Sequence, residues 1–143
     1  MHCAASYSFQ QIVENSEFSK LYRINETVYR ALVEAFGDES PLHIDDEYAR
    51  RSGFDRRVMH GAILQGFLSN FVGMHFPGKN SLILSVCLNY HQPSYLGDEI
   101  ILTARVRQKT ETGSAVVLEL KFRNAAAGTL VASGKAQVML RND

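Results

Sequence analysis

HGAILQGFLSNFVGMHFPG, residues 60–78, decides the fold. Its apolar side chains cover nearly the whole circumference of a helix, which predicts a helix buried on most sides. It is too short, and too polar at its ends, to cross a bilayer. Gly66, Ser69 and Gly73 would let a strand or a ligand approach its backbone closely. Everything after it reads as strand. SLILSVCLNY (81–90), EIILTARVRQ (99–108), AVVLELKF (115–122) and TLVASGKAQVML (129–140) are rich in β-branched and apolar residues. Cys87, inside an apolar run, is expected to be buried. Thr112-Gly113 and Ala127-Gly128 supply tight turns, so the last three strands fit an antiparallel meander. A sheet with one face against a helix is an α+β architecture: a curved antiparallel sheet wrapped around a long central helix.

On the N-terminal side, FSKLYRI (18–24) alternates as a short strand. Asn25 is placed to cap a helix, with Glu26 in the first turn where the helix dipole favours an acid. Val28, Leu32, Val33 and Phe36 follow at helical spacing, and Gly37 ends the run. GDESPLHIDDEYARRSGFDRR (37–57) is polar and interrupted by Gly37, Pro41 and Gly53. It predicts a loop, a short helix around 45–51 and another loop. There is no repeat, low-complexity run or linker. Residues 1–143 fit one domain, with 1–16 a loosely ordered lead-in.

Formal net charge is zero, from 15 basic and 15 acidic residues. That balance gives no electrostatic case for nucleic acid or an anionic membrane, though a local basic patch can still serve a small anion. Two isolated cysteines, Cys3 and Cys87, make no disulfide framework and suit a reducing cytoplasm. The N-terminus lacks the basic flank and long apolar core of a signal peptide.

The polar stretch before the long helix carries the chemistry. Asp38 and His43 lie five residues apart, with Pro41 stiffening the link and biasing Ser40 to an extended conformation. A carboxylate and an imidazole held together can position one water and move its protons. His60-Gly61 then opens the long helix, whose first N–H groups lack internal partners and carry partial positive charge. Gly61, with no side chain, lets a ligand oxygen reach its N–H, as an oxyanion hole for an enolate would require. Hydration of an unsaturated thioester needs these parts: a water deprotonated as it attacks C3, a proton for C2, and stabilisation of the thioester oxygen. It needs no metal or organic cofactor.

FGDESPLHIDDEYARRSGFDRRVMHG resembles the hydratase motif of MaoC-like, (R)-specific enoyl-CoA hydratases. That family's pattern runs S-G-D-x-N-P-L-H-x-D, then a stretch ending R-x-x-H-G. The likeness continues through LQGFLSNFVG and PSYLGDEI, and so covers most of residues 18–140. The resemblance implies a hot-dog fold, Asp38 and His43 as the catalytic pair, the Gly61 N–H as oxyanion donor, and a homodimer with a continuous sheet. It implies trans-2-enoyl and (R)-3-hydroxyacyl substrates, carried on coenzyme A or on the phosphopantetheine of an acyl carrier protein. Ser40 stands where the family usually has Asn, which can both donate and accept in bracing the loop. Phe36 stands where the family often has a small residue.

Some readings stay open. Taken alone, an acid after Gly37 more often caps a turn than does chemistry; the matching spacing of Pro41, Leu42, His43 and His60-Gly61 reverses that balance for Asp38. His60 is assigned to packing or a loop hydrogen bond, and His75 and His91 lack metal-like spacing to any partner, so no metal is assigned. Asp45, Asp46 and Glu47 read as a solvated helix start. Among the cations, Arg50, Arg51, Arg56, Arg57 and Lys79 are candidates for coenzyme A or carrier-arm phosphates, and each is equally an ordinary surface charge. Gln65, Leu68, Ser69 and Val72 fall on roughly one side of the helix from Gly61. Resemblance favours Ser69 and Val72 as acyl-chain contacts over plain core. A non-catalytic thioester-binding module and a thioesterase are the competing functions, because fold alone does not fix function.

Overall fold

Alternation in the strands sets which side of the sheet is covered. In the computed structural model, which describes residues 3–141, the chain opens with a 3-10 turn at Phe9–Gln11. Then follow β1 (Glu17–Arg23), α1 (Glu26–Phe36), α2 (Pro41–Ile44), α3 (Asp46–Arg51) and α4 (Ala62–Asn70), the last continued by a π-helical turn over Phe71–His75. Four strands complete it: β2 (Ser81–Tyr90), β3 (Glu99–Thr110), β4 (Ala115–Asn124) and β5 (Leu130–Leu140). They form one antiparallel sheet in the order β1-β3-β4-β5-β2. The meander turns as its glycines require: Gly113 and Gly128 take φ 79° and 71°, a region open to glycine at little cost.

Ile100, Leu102, Ala104 and Val106 of β3, and Val116, Leu118, Leu120 and Phe122 of β4, are completely buried. They share one core with Ile63, Leu64, Phe67, Leu68, Phe71 and Val72 of the central helix. This is the helix-in-sheet arrangement of a hot-dog fold. The helix is, however, buried on one side only. Gln65, Gly66, Ser69 and Asn70 are exposed, because the sheet curls around half of the helix and leaves that face open. Beyond the adjoining backbone of the helix itself, no atom of the described residues comes within 4 Å of where a side chain would start at Gly66 or Gly73.

Two further expectations are corrected. Cys87 is exposed, not buried: β2 is an edge strand, exposed over most of its length, and Cys87 pairs in register with exposed Lys135. Pro41–Ile44 is a turn of helix, not loop, because Pro41 sits at its first positions with its φ already set. Within residues 3–16, Phe9 and Ile12 enter the core, and Ala5 bonds to Met74 O and Lys79 N. Gly78 has φ 101°, and a Cβ there would collide with the Ala5 carbonyl. Residues 1 and 2 lie outside the described part. No described helix is long and apolar enough to cross a membrane.

Candidate active site

Asn25 caps α1 by accepting from Val28 N, and Gly37 ends it in the left-handed region at φ 65°. That reversal presents Asp38, whose carboxylate accepts the Ser40 N–H at 3.2 Å. The bond comes from the main chain, so bracing of the carboxylate does not depend on whether Ser or Asn stands at position 40. Pro41 then starts α2, which carries His43 on its single turn. Three bonds fasten that turn: Val58 N–H to Leu42 O at 3.0 Å, the Tyr29 hydroxyl to His43 O at 3.0 Å, and His43 Nδ1 to Val58 O at 2.7 Å.

The last bond sets the chemistry of His43. A carbonyl only accepts, so Nδ1 carries the proton and Nε2 is the basic nitrogen. That Nε2 faces Asp38 Oδ2 at 4.0 Å. The separation exceeds a hydrogen bond and suits one water held between the two groups. The side chain of Asp38 is half exposed, so the pair is open to solvent on the Asp38 side.

His60, four per cent exposed, lies beneath this pair. Its ring stacks on His43 with centroids 3.9 Å apart, and its Nε2–H donates to Asp38 O at 2.9 Å. Asp38, His43 and His60 thus bring one ligand-type atom each to within 4.8 Å of one another. Sequence spacing does not reveal this set. It fits a metal ion poorly, because the proton on His60 Nε2 is committed to Asp38 O and leaves that nitrogen no lone pair.

Gly61 begins α4 with helical backbone angles, φ −59° and ψ −28°. It forms part of a cleft of about 460 Å³ together with His43, His60, Leu64, Tyr90 and Val131. The Tyr90 ring covers it so closely that a Cβ at position 61 would lie 2.9 Å from Tyr90 Cε1. The Tyr90 hydroxyl donates to Gly61 O at 3.3 Å and accepts from Gln65 Nε2 at 3.0 Å. No described hydrogen-bond partner sits against the Gly61 N–H. A basic imidazole and a helix N-terminus therefore line one mostly apolar cleft, and the Asp38 carboxylate lies 4.0 Å from His43 Nε2.

The other candidate residues lie apart from this centre. Arg57 places its guanidinium 5.1 Å from the Tyr29 ring centroid and 3.9 Å from Asp46. The Arg57 N–H, with help from the Arg57, Arg50 and Arg56 charges, holds the Asp46 carboxyl below the usual range. Asp45 caps α3, accepting from Glu47 N and Tyr48 N. Lys79 is exposed beyond the far end of the central helix. Ser69 is exposed on the open face of α4, and Val72 is two per cent exposed in the core; neither lines the cleft. Tyr29, Val58 and Tyr90 were not singled out from sequence. Val58 acts through its carbonyl, which no side-chain pattern reports. Tyr90 ends an apolar strand and reads there as one more strand aromatic.

Residues 8–124 match the model of the MaoC like domain. A mitochondrial 3-hydroxyacyl-[acyl-carrier-protein] dehydratase of Arabidopsis thaliana is 31% identical over 116 residues, 79% of this chain and 68% of the relative. An (R)-specific enoyl-CoA hydratase of Aeromonas caviae is 29% identical over 131 residues, 89% of this chain and 97% of the relative. The solved structure of an (R)-hydratase from A. caviae involved in PHA biosynthesis superposes with a TM-score of 0.85 at 26% identity, covering 92% of this chain and 99% of that one. On the extent of the domain match and the likeness in fold, the chain belongs to the MaoC-like domain family.

Proposed function

We propose that the protein is a hydro-lyase that reversibly adds water across the 2,3 double bond of trans-2-enoyl thioesters, giving (R)-3-hydroxyacyl thioesters. One observation carries this reading. The Nδ1–H of His43 is committed to Val58 O, which turns a basic Nε2 toward the Asp38 carboxylate 4.0 Å away. Two acceptors at that spacing hold both hydrogens of one water and leave its oxygen lone pair free for C3. As oxygen bonds to C3, the C2–C3 π electrons move into the thioester and its oxygen gains enolate charge. In this reading the Gly61 N–H stabilises that charge. One of the two acceptors takes a proton from the water and delivers it to C2, while the other holds the hydrogen that stays on the new hydroxyl. Water is consumed, and both side chains return to their starting state. Curated relatives that process coenzyme A and carrier-protein thioesters support the substrate class.

No cofactor enters this scheme beyond the coenzyme A or phosphopantetheine of the substrate. Arg57 and Lys79 are the proposed phosphate contacts, Arg57 by exchanging its Asp46 partner. Ser40 shapes the Asp38 loop. Ser69 is the proposed acyl contact on the open helix face, with Val72 behind it. The protein is proposed to work as a homodimer in the cytoplasm. Edge strand β2 supports the dimer, since it exposes Leu82, Leu84, Val86 and Tyr90, a row of apolar residues that a second copy would cover. Incubation with crotonyl-CoA tests the reaction: loss of enoyl-thioester absorbance is hydration, free thiol release is hydrolysis, and neither is the outcome for a module that only binds.

A further inference from the structure

His60 makes more contacts with the Asp38–His43 pair than packing needs. It is four per cent exposed, and it meets both members at once. Its Nε2–H reaches the main-chain oxygen of Asp38 at 2.9 Å, while the same nitrogen stays 3.8 Å from the Asp38 carboxylate. Its ring lies 3.9 Å from that of His43, tilted by 30°. Its other nitrogen, Nδ1, is buried without a hydrogen-bond partner among the described residues. Burying a ring nitrogen without a partner costs stability, and an apolar side chain would fill the space without that cost. What His60 adds over an apolar ring is the Nε2–H donor.

The bond it makes has a specific effect. Asp38 follows a left-handed glycine on a half-exposed loop, and its carboxylate bonds to its own loop through Ser40 N. The His60 bond ties the Asp38 backbone to the start of α4, the element that also presents Gly61. The stacked ring packs against the face of His43, whose Nδ1 bond to Val58 O turns Nε2 toward Asp38.

We propose that His60 is a positioning residue. Through Nε2–H and its stacked face, it sets the distance between the Asp38 carboxylate and His43 Nε2 and fixes both relative to Gly61. This rests on the hydratase reading for its effect on turnover, but not for its effect on the loop.

The test compares H60Q, which keeps an amide donor at similar reach, with H60F, which keeps a stacking ring without the donor. Crotonyl-CoA hydration is measured as kcat and KM separately, alongside thermal melting and amide hydrogen exchange at Ser40 and His43. Misplacing reacting groups by a fraction of an ångström to an ångström costs up to about 100-fold in rate, so H60F should lower kcat by roughly 10- to 100-fold with KM within about twofold. Its Ser40 and His43 amides should exchange faster, and H60Q should recover most of both losses. Should H60F fail to fold, H60L takes its place. Unchanged kcat in folded H60F, or equal losses in H60F and H60Q, overturns the inference while leaving the hydratase reading intact. Should the wild-type protein hydrate no enoyl thioester, that reading fails instead. Exchange then decides His60 alone: faster exchange confined to H60F supports the positioning role, and unchanged exchange overturns it.

Discussion

Gly61→Ala separates stability from activity, because the structure places its two effects on different atoms. The backbone at Gly61 is helical, so alanine fits without strain and should gain about 0.4–1 kcal/mol through the unfolded chain. Against this, the new Cβ would lie 2.9 Å from Tyr90 Cε1 and 3.0 Å from Cζ. Carbon pairs settle at about 3.5–4.0 Å, so the ring must retreat by roughly 0.6–1.1 Å. Tyr90 is half exposed and can move, but doing so weakens its bonds to Gly61 O and Gln65. Solvent-exposed bonds of that kind contribute on the order of 0.5–1 kcal/mol each, so the terms nearly cancel. Melting should therefore shift by no more than about 4 °C. Activity should not cancel. The methyl group stands beside the N–H proposed to meet the thioester oxygen, and the displaced ring crowds the same cleft. Alanine keeps the N–H, but a thioester oxygen blocked from reaching it loses that donor in effect, which costs about 100-fold or more, so crotonyl-CoA hydration should fall by that order in kcat/KM. A folded G61A enzyme within about threefold of wild type would refute the placement of the thioester oxygen at Gly61.

Two more outcomes follow from the same geometry. Leu84→Lys puts a charge on the exposed edge strand β2, where lysine blocks strand pairing, so light scattering should read twice 16.0 kDa for the wild type and a monomer for the variant; a wild-type monomer at micromolar concentration would contradict the dimer. Val72→Phe should depress octenoyl-CoA hydration far more than crotonyl-CoA hydration. Because Val72 is a core residue, the variant is also expected to lose about 1–3 kcal/mol, read from its melt. Equal loss of both activities in a folded variant, or loss of neither, removes Val72 from the acyl site.

Local signals in the sequence were enough for α1, where Asn25 and Gly37 occupy the cap positions, and for the meander, where two glycines mark the turns. Asp38 and His43 were also legible, since a short proline-stiffened link must hold them near each other. What failed depends on long-range contacts. An apolar run does not say whether a strand lies at the centre or the edge of a sheet, which is why Cys87 is exposed against expectation. Helical periodicity cannot show how far a sheet wraps, so the open face of α4 was missed. His60 meets Asp38 from 22 positions further along the chain, and only the fold brings its ring under His43.

The central claim is that Asp38 and His43 act on one shared water. It is tested most directly by a double-mutant cycle on enoyl-thioester hydration, with D38N, H43A and the double variant measured beside the wild type. Each single variant should lose about 100-fold or more in turnover with its melt nearly unchanged. Because the two groups work as a unit, the double variant should be hardly worse than the more impaired single variant. Losses that multiply in the double variant, or near-wild-type turnover in either single one, would contradict the account.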